Sequence, residues 1–219
     1  MVDIDILVPV LSRPANVKPL VDSIHAATTM THRIIFLTTH GDDTEIAACV
    51  AIKGAEVITT LPEENSYAKK INLGASLFDG TWLFLGADDL HFHKGWDHEA
   101  IAEHERTGKL VIGTNDLGNP TVVQGKHATH SLVHRDYLAL GTIDEPGKLL
   151  HEGYCHNFTD TEFCGTAKHR DQFAFAFASH VEHRHWLWGK GKDDPTYELG
   201  RVQYRADSRT FAKRRRLWR

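Results

Sequence analysis

Apolar and polar positions alternate in blocks along the first half of the chain. Asp5 to Val10 read as a buried strand, stopped by Pro9 and the Ser12-Arg13-Pro14 turn, after which Val17, Leu20, Val21 and Ile24 recur at helical spacing. A second strand, Arg33 to Leu37, breaks at Thr38-Thr39-His40-Gly41-Asp42-Asp43. Helical spacing returns with Ile46, Cys49, Val50 and Lys53, and Gly54 supplies a stop. Ala55 to Ile58 makes a short third strand, Ser66 to Phe78 another helix, and Trp82 to Leu85 a fourth strand. This βαβαβαβ order predicts an α/β fold on a parallel sheet with right-handed crossovers. A helix from Gly95 to Thr107 and a strand from Leu110 to Gly113 follow, and from Asn115 to Gly153 the pattern loosens into short pieces punctuated by turns.

The fourth strand delivers two adjacent carboxylates, Asp88 and Asp89, and in open α/β sheets ligands sit outside the carboxyl ends of strands. Consecutive strand residues point to opposite faces, so a turn must begin here if both are to serve one site. The division this favours is Asp89 on a metal ion and Asp88 on the nucleotide of a bound metal-nucleotide; the bland reading is a turn or a helix cap. The segment after the first strand, Leu7 to Pro14, has neither a dinucleotide fingerprint nor a P-loop, which disfavours a dinucleotide oxidoreductase or P-loop kinase.

Composition adds little to that picture, and charge adds something. At 219 residues with 41% hydrophobic and 25% charged positions, the chain is ordinary for a globular domain. No apolar run approaches about 18 residues and no basic-then-apolar leader is present, so a cytoplasmic protein without a membrane span is expected. Cys49, Cys155 and Cys164 lack metal-finger spacing, and Ser131 and Ser179 lack a nucleophile-elbow context. Residues 211–219 carry Lys213, Arg214, Arg215, Arg216 and Arg219 with no acid; without them, 20 basic residues face 29 acidic ones. Such a tail either pairs with the acidic body or touches phosphates.

Val8-Pro9-Val10 with Arg13-Pro14, Tyr67-Ala68-Lys69-Lys70-Ile71-Asn72, Gly86-Ala87-Asp88-Asp89 and Gly95-Trp96-Asp97 occur in the order and spacing of GT-A glycosyltransferases. Over about residues 4–205 the chain resembles family 2-like enzymes, including small versions carried by actinobacteria and their phages; a phage-encoded protein would work in the host cytoplasm. The resemblance implies a GT-A fold with a mostly parallel central sheet flanked by helices. It divides residues 1–210 into a nucleotide-sugar and metal half, 1–113, and an acceptor half, 114–210, ahead of the basic tail. It also implies that Asp88 and Asp89 form a variant DXD motif holding Mn²⁺ or Mg²⁺ on the donor diphosphate. By the same resemblance Pro9, Val10, Arg13 and Thr39 line the nucleotide pocket, while Lys70 and Asn72 approach the donor. The second strand's loop departs from the usual acidic uracil-side motif, which leaves the nucleotide open.

The second half supplies what a transferase still needs. Thr159-Asp160-Thr161-Glu162 has the form of a capping box opening a helix, with Asp160 in the first turn, where the positive helix end favours an ionised carboxylate. Asp160 matches the position of the family's catalytic base, with Glu162 as the alternative. His183 and His185, at i and i+2, would share one face of a strand, and in GT-A enzymes a late His often completes the metal site. Trp96 is either a wall beside the sugar or packing of the helix it opens. The expected function is therefore metal-dependent, inverting transfer from a nucleoside diphosphate sugar to an acceptor hydroxyl, whether on a hydroxymethylated DNA base, a protein or a glycan. A sugar-nucleotide nucleotidyltransferase and a non-catalytic nucleic-acid-binding module are the alternatives.

Overall fold

The computed structural model describes residues 3–218. The first apolar block forms β1 (Ile4–Pro9), and Pro14 opens α1 (Pro14–Ala27), where its missing N–H leaves no helical bond unmade. β2 (His32–Thr39), α2 (Asp43–Val50), β3 (Glu56–Thr60), α3 (Tyr67–Leu77) and β4 (Trp82–Leu85) follow in the expected alternation. Ser66 caps α3, its hydroxyl accepting the Lys69 N–H at 3.2 Å. These strands lie in the order β3-β2-β1-β4, all parallel, so β1 and β4 end on one edge of the sheet.

The second half contributes β5 (Leu90–Phe92), α4 (Trp96–Thr107), β6 (Val111–Asn115), α5 (Pro120–Val123), β7 (Ser131–His134), α6 (Tyr137–Leu140), α7 (Thr159–His169), β8 (Phe173–His183) and α8 (Pro195–Arg214). The sheet continues β7-β6-β8-β5. β7 runs antiparallel to β4 and β6, β8 parallel to β6, and β5 antiparallel to β8. The fold is thus an α/β sheet flanked by helices, parallel in its first half and mixed beyond β4. α8 is not anticipated by apolar spacing, because of its 20 residues only Gly200 and Asp207 are buried. It runs through residue 210 without a break into the basic segment, of which Arg219 lies outside the described residues.

Two apolar layers cover the sheet. Val17, Leu20 and Ile24 of α1 pack with Phe84, Trp96 and Ala100 on one face, and Ile71, Ala75, Tyr137 and Phe163 pack with Leu7, Leu83 and Val133 on the other. Trp96 belongs to the first layer and is 0% exposed, its indole N–H donating to the Thr28 hydroxyl at 3.0 Å. It packs its helix against the sheet and does not wall a sugar pocket. Gly86 lets the chain leave β4 tightly against β1, since a Cβ there would meet the Leu7 carbonyl oxygen at 2.8 Å.

Candidate functional site

A cavity of about 480 Å³ opens where β1, β4 and β8 end. It is lined by Pro9, Val10, Arg13, Lys70, Asp88, Asp89, Asp160, His183 and His185 from the residues singled out in the sequence, together with His130, Tyr67 and Tyr197.

Arg13 sits at the centre of the charge network. Its Nη1 donates to Asp88 Oδ1 at 3.0 Å and to Asp89 Oδ2 at 3.4 Å, while Nε and Nη2 take both oxygens of Asp194 at 2.8 and 2.9 Å. The guanidinium lies over the Tyr197 ring, 4.2 Å from its centroid. Burial works against this charge, but Asp88, Asp194 and Asp89 outweigh it and hold the pKa above its ordinary value. The two carboxylates then divide. Burial and the neighbouring Asp89 charge push Asp88 upward, against the pull of Arg13. Asp89 is pulled well below the carboxylate range: burial opposes ionisation, but His183 and the Tyr197 hydroxyl, which donates to Oδ2, prevail.

His183 Nε2 lies 3.3 Å from Asp89 Oδ1. His185 lies just past the end of β8 in extended backbone, and its ring centroid is 5.0 Å from that of His183 at the same cavity; its Nδ1 accepts the Leu187 N–H at 3.1 Å, and its ring packs on Tyr197 at 4.4 Å. Among the described residues no three His, Cys, Asp or Glu side chains converge as a metal-binding set. What is present is one carboxylate beside one imidazole. That donor set fits a hard divalent ion whose remaining positions are filled by phosphate oxygens and water.

Lys70 is buried, its ammonium donating to the Val10 carbonyl at 2.9 Å and to the Thr39 hydroxyl at 2.8 Å; burial lowers its pKa to about 8. Thr39 sits behind it, away from the cavity wall, donating in turn to Asn65 Oδ1 at 2.7 Å. Asn72 does not reach the cavity. Its amide holds another loop in place, accepting the Leu149 and Leu150 N–H groups and donating to the Leu150 carbonyl and Glu152. Both residues thus support the pocket from behind.

α7 presents Asp160 to the same cavity from its first turn. The expected capping box is not formed: Phe158 takes the cap position with φ +68, and Thr159 is already helical. Glu162 points away from the helix start, accepting from the Tyr154 hydroxyl at 2.7 Å and from Arg214. Asp160 Oδ1 accepts the Thr161 N–H at 2.7 Å, and Oδ2 lies 2.9 Å from His127 Nε2. Burial alone would raise the Asp160 pKa, but the His127 contact lowers it. His127, Tyr197 and Asp194 carried no signal in the sequence, because nothing local marks a residue whose partner comes from a distant element.

The profile of glycosyl transferase family 2 matches residues 5–164. No curated protein matches the chain. Among solved structures, the chain superposes on S. aureus TarS 1–349 with a TM-score of 0.61 at 13% identity, covering 82% of this chain and 59% of that one. Glucosyl-3-phosphoglycerate synthase from Mycobacterium tuberculosis, in complex with Mn²⁺, UDP and glucosyl-3-phosphoglycerate, gives 0.61 at 14% identity, covering 96% and 79%. A mannosyltransferase from Pyrobaculum calidifontis, in complex with GDP-Man and Mn²⁺, gives 0.64 at 10% identity, covering 83% and 57%. The chain therefore spans under two thirds of two of these three proteins, and the three share with it a GT-A architecture.

Proposed function

The chain belongs to glycosyl transferase family 2, and from that premise we propose that it moves a sugar from a nucleoside diphosphate sugar to an acceptor hydroxyl, with inversion and with Mn²⁺ or Mg²⁺. One observation carries the reading: Asp89 beside His183, and Asp160 from α7, line the same cavity at the carboxyl ends of β1 and β4. Two of the solved neighbours are described with Mn²⁺ and a nucleotide or nucleotide-sugar, which supports the same donor chemistry here.

Asp89 and His183 are assigned to the metal, and Asp88 and Arg13 to the nucleotide diphosphate, with Pro9, Val10 and Lys70 lining the nucleotide's side of the pocket. A bound divalent ion supplies charge neutralisation to the departing diphosphate. Arg13 contributes a fixed cation beside the same leaving group, held by Asp194 from behind. Asp160, ionised, accepts the proton of the acceptor hydroxyl as that oxygen bonds to the anomeric carbon. The anomeric bond to the phosphate oxygen breaks with its electron pair leaving on the diphosphate. A base on the acceptor side, with no nucleophile interposed, gives inversion.

The test is release of free nucleotide from a panel of nucleotide-sugars, with and without Mn²⁺, in wild type and Asp160→Asn. An amide keeps the shape but accepts no proton, so turnover falls by roughly 10²- to 10⁴-fold with donor affinity nearly unchanged. Equal loss of donor binding marks Asp160 as structural instead. Formation of nucleoside triphosphate and sugar phosphate from the nucleotide-sugar when pyrophosphate is added, in place of nucleoside diphosphate release, points to a nucleotidyltransferase.

A further inference from the structure

His127 stands directly behind Asp160. The imidazole Nε2 meets Asp160 Oδ2 at 2.9 Å, and the pair is largely shielded, with side chains 16% and 29% exposed. Asp160 lines the cavity and His127 does not. The carboxylate is therefore the member that a substrate can touch, and the imidazole acts through it. Cys164 also neighbours the His127 side chain, and its thiol donates to the Ala128 carbonyl at 3.3 Å. Cys164 is four residues beyond Asp160 on the same helix.

We propose that His127 is a positioning residue for the base: a buried imidazolium that holds Asp160 in one rotamer and keeps it ionised at the pH of transfer. This rests on the assignment of Asp160 as the base. A carboxylate in a closed cavity has two problems as a base. It can rotate, and burial drives it toward the protonated form, which accepts nothing. The Thr161 N–H fixes one oxygen, and the N–H of His127 fixes the other and supplies the compensating charge. Oδ1 also accepts the Thr161 hydroxyl at 3.3 Å, while Oδ2 has His127 as its one donor among the described residues and keeps a lone pair, so proton acceptance from the substrate remains open. The groups facing Asp160 from the surrounding elements are Tyr67 of α3, His130 before β7, His156 before α7 and His183 of β8. None of these makes a hydrogen bond to it among the described residues, which leaves His127 as its direct ionic partner. Burial opposes the charge on His127, but Asp160 and Cys164 raise its pKa to about 10.

The sign is set by the pair. Without the cation, the Asp160 pKa rises, so activity on the acid side is lost at a higher pH than in the wild type. For an opposite charge at this distance the displacement is about 1 to 3 pH units. The experiment has two arms. In the first, the pH dependence of kcat/KM for UDP-glucose or GDP-mannose hydrolysis, whichever the protein accepts, is compared in wild type, His127→Ala and His127→Gln. The acid limb should move up in His127→Ala, with kcat falling at neutral pH and the donor KM held. His127→Gln, which can still donate an N–H, should recover part of the rate while leaving the limb displaced.

In the second arm, ¹H–¹⁵N spectra of the histidine side chains follow the His127 signal, identified by its loss in His127→Gln. Wild-type His127 should remain protonated at pH 8, and Asp160→Asn should return it to or below the ordinary value of about 6.5. This arm needs no activity and rests on His127→Gln for the identification alone, so it stands even if His127→Ala folds poorly. A neutral His127 at pH 8 in the wild type overturns the proposal. If the acid limb stays put in both His127 variants while Asp160→Asn abolishes turnover, the positioning role falls and the base stands. If Asp160→Asn retains full turnover, both fall.

Discussion

Two neighbouring carboxylates at the end of β4 are electrostatically unequal, and that inequality forecasts different consequences for losing each. Asp89 has His183, Tyr197 and Arg13 around it, so its charge is satisfied without substrate, whereas among the described residues Asp88 has Arg13 as its only direct ionic partner. Asp89→Asn keeps the shape and removes the charge a metal needs. Metal-dependent nucleotide binding, measured by titration calorimetry with UDP or GDP in Mn²⁺, should drop at least tenfold while metal-free binding changes little; unchanged binding in Mn²⁺ removes Asp89 from the metal. Trp96→Ala should act in the opposite manner, lowering stability by about 3–5 kcal/mol with donor binding retained, because its ring fills the core between Phe84 and Phe92. A denaturant melt beside a binding curve separates the two classes. The Asp-Asp pair was legible because strand-end position is a local property of sequence. Trp96 was ambiguous because a turn followed by a Trp reads the same whether the ring faces a pocket or a core. Arg13 shows where local reading stops, since its firmest partner, Asp194, lies 181 residues away.

At the scale of elements, β1, β2 and β4 were readable because each carries a buried apolar run bounded by turn residues, whereas β3, at the sheet edge and half exposed, showed only its short Val57-Ile58 core. α8 was not readable, for an equally physical reason. It packs through Gly200 and Asp207, a small residue and a charge, so no apolar stripe records its buried face. A Cβ at position 200 would meet the His156 ring at 2.7 Å. Two turns further on, the buried Asp207 carboxylate takes the N–H groups of Cys155, His156 and Asn157 at 2.8, 2.9 and 2.7 Å. α8 therefore clamps the loop that leads into Asp160. Asp207→Ala should leave the three part-buried N–H groups of residues 155–157 without their acceptor and cost about 1–3 kcal/mol. Hydrogen exchange should accelerate at residues 155–158 and stay unchanged in β1 and β4; uniform exchange across the molecule would mean that α8 supports the whole fold and not the loop in particular.

The charge asymmetry of the whole chain resolves partly into structure. Arg214, from the basic end of α8, reaches Glu162 at 2.7 Å and Asp144 at 2.7 Å, with Glu162 4% exposed, while Trp218 covers Gly165 of α7. Lys213, Arg215 and Arg216 remain exposed. The segment is thus an anchor through Arg214 and a cationic surface through its neighbours, and truncation after Thr210 tests both parts. Removing Arg214 leaves the buried Glu162 carboxylate with the Tyr154 hydroxyl as its one remaining hydrogen-bond donor among the described residues, a loss of about 3 kcal/mol, which for a chain of this size lowers the melting temperature by roughly 6–12 °C at pH 7. Hydrogen bonding to Arg214 holds the Asp144 pKa down, to about 2, so its share of the stabilisation is complete above the unfolded value of about 3.9 and is lost as pH falls toward the folded value. The melting difference between full-length and truncated protein should accordingly persist at neutral pH and narrow between pH 4 and 2. If the exposed cations also hold a phosphodiester acceptor, truncation weakens duplex DNA binding and reduces its salt dependence by up to about 0.9 log unit per lost contact. Duplex binding that is undetectable in the full-length protein at low salt would leave a protein or saccharide hydroxyl as the acceptor.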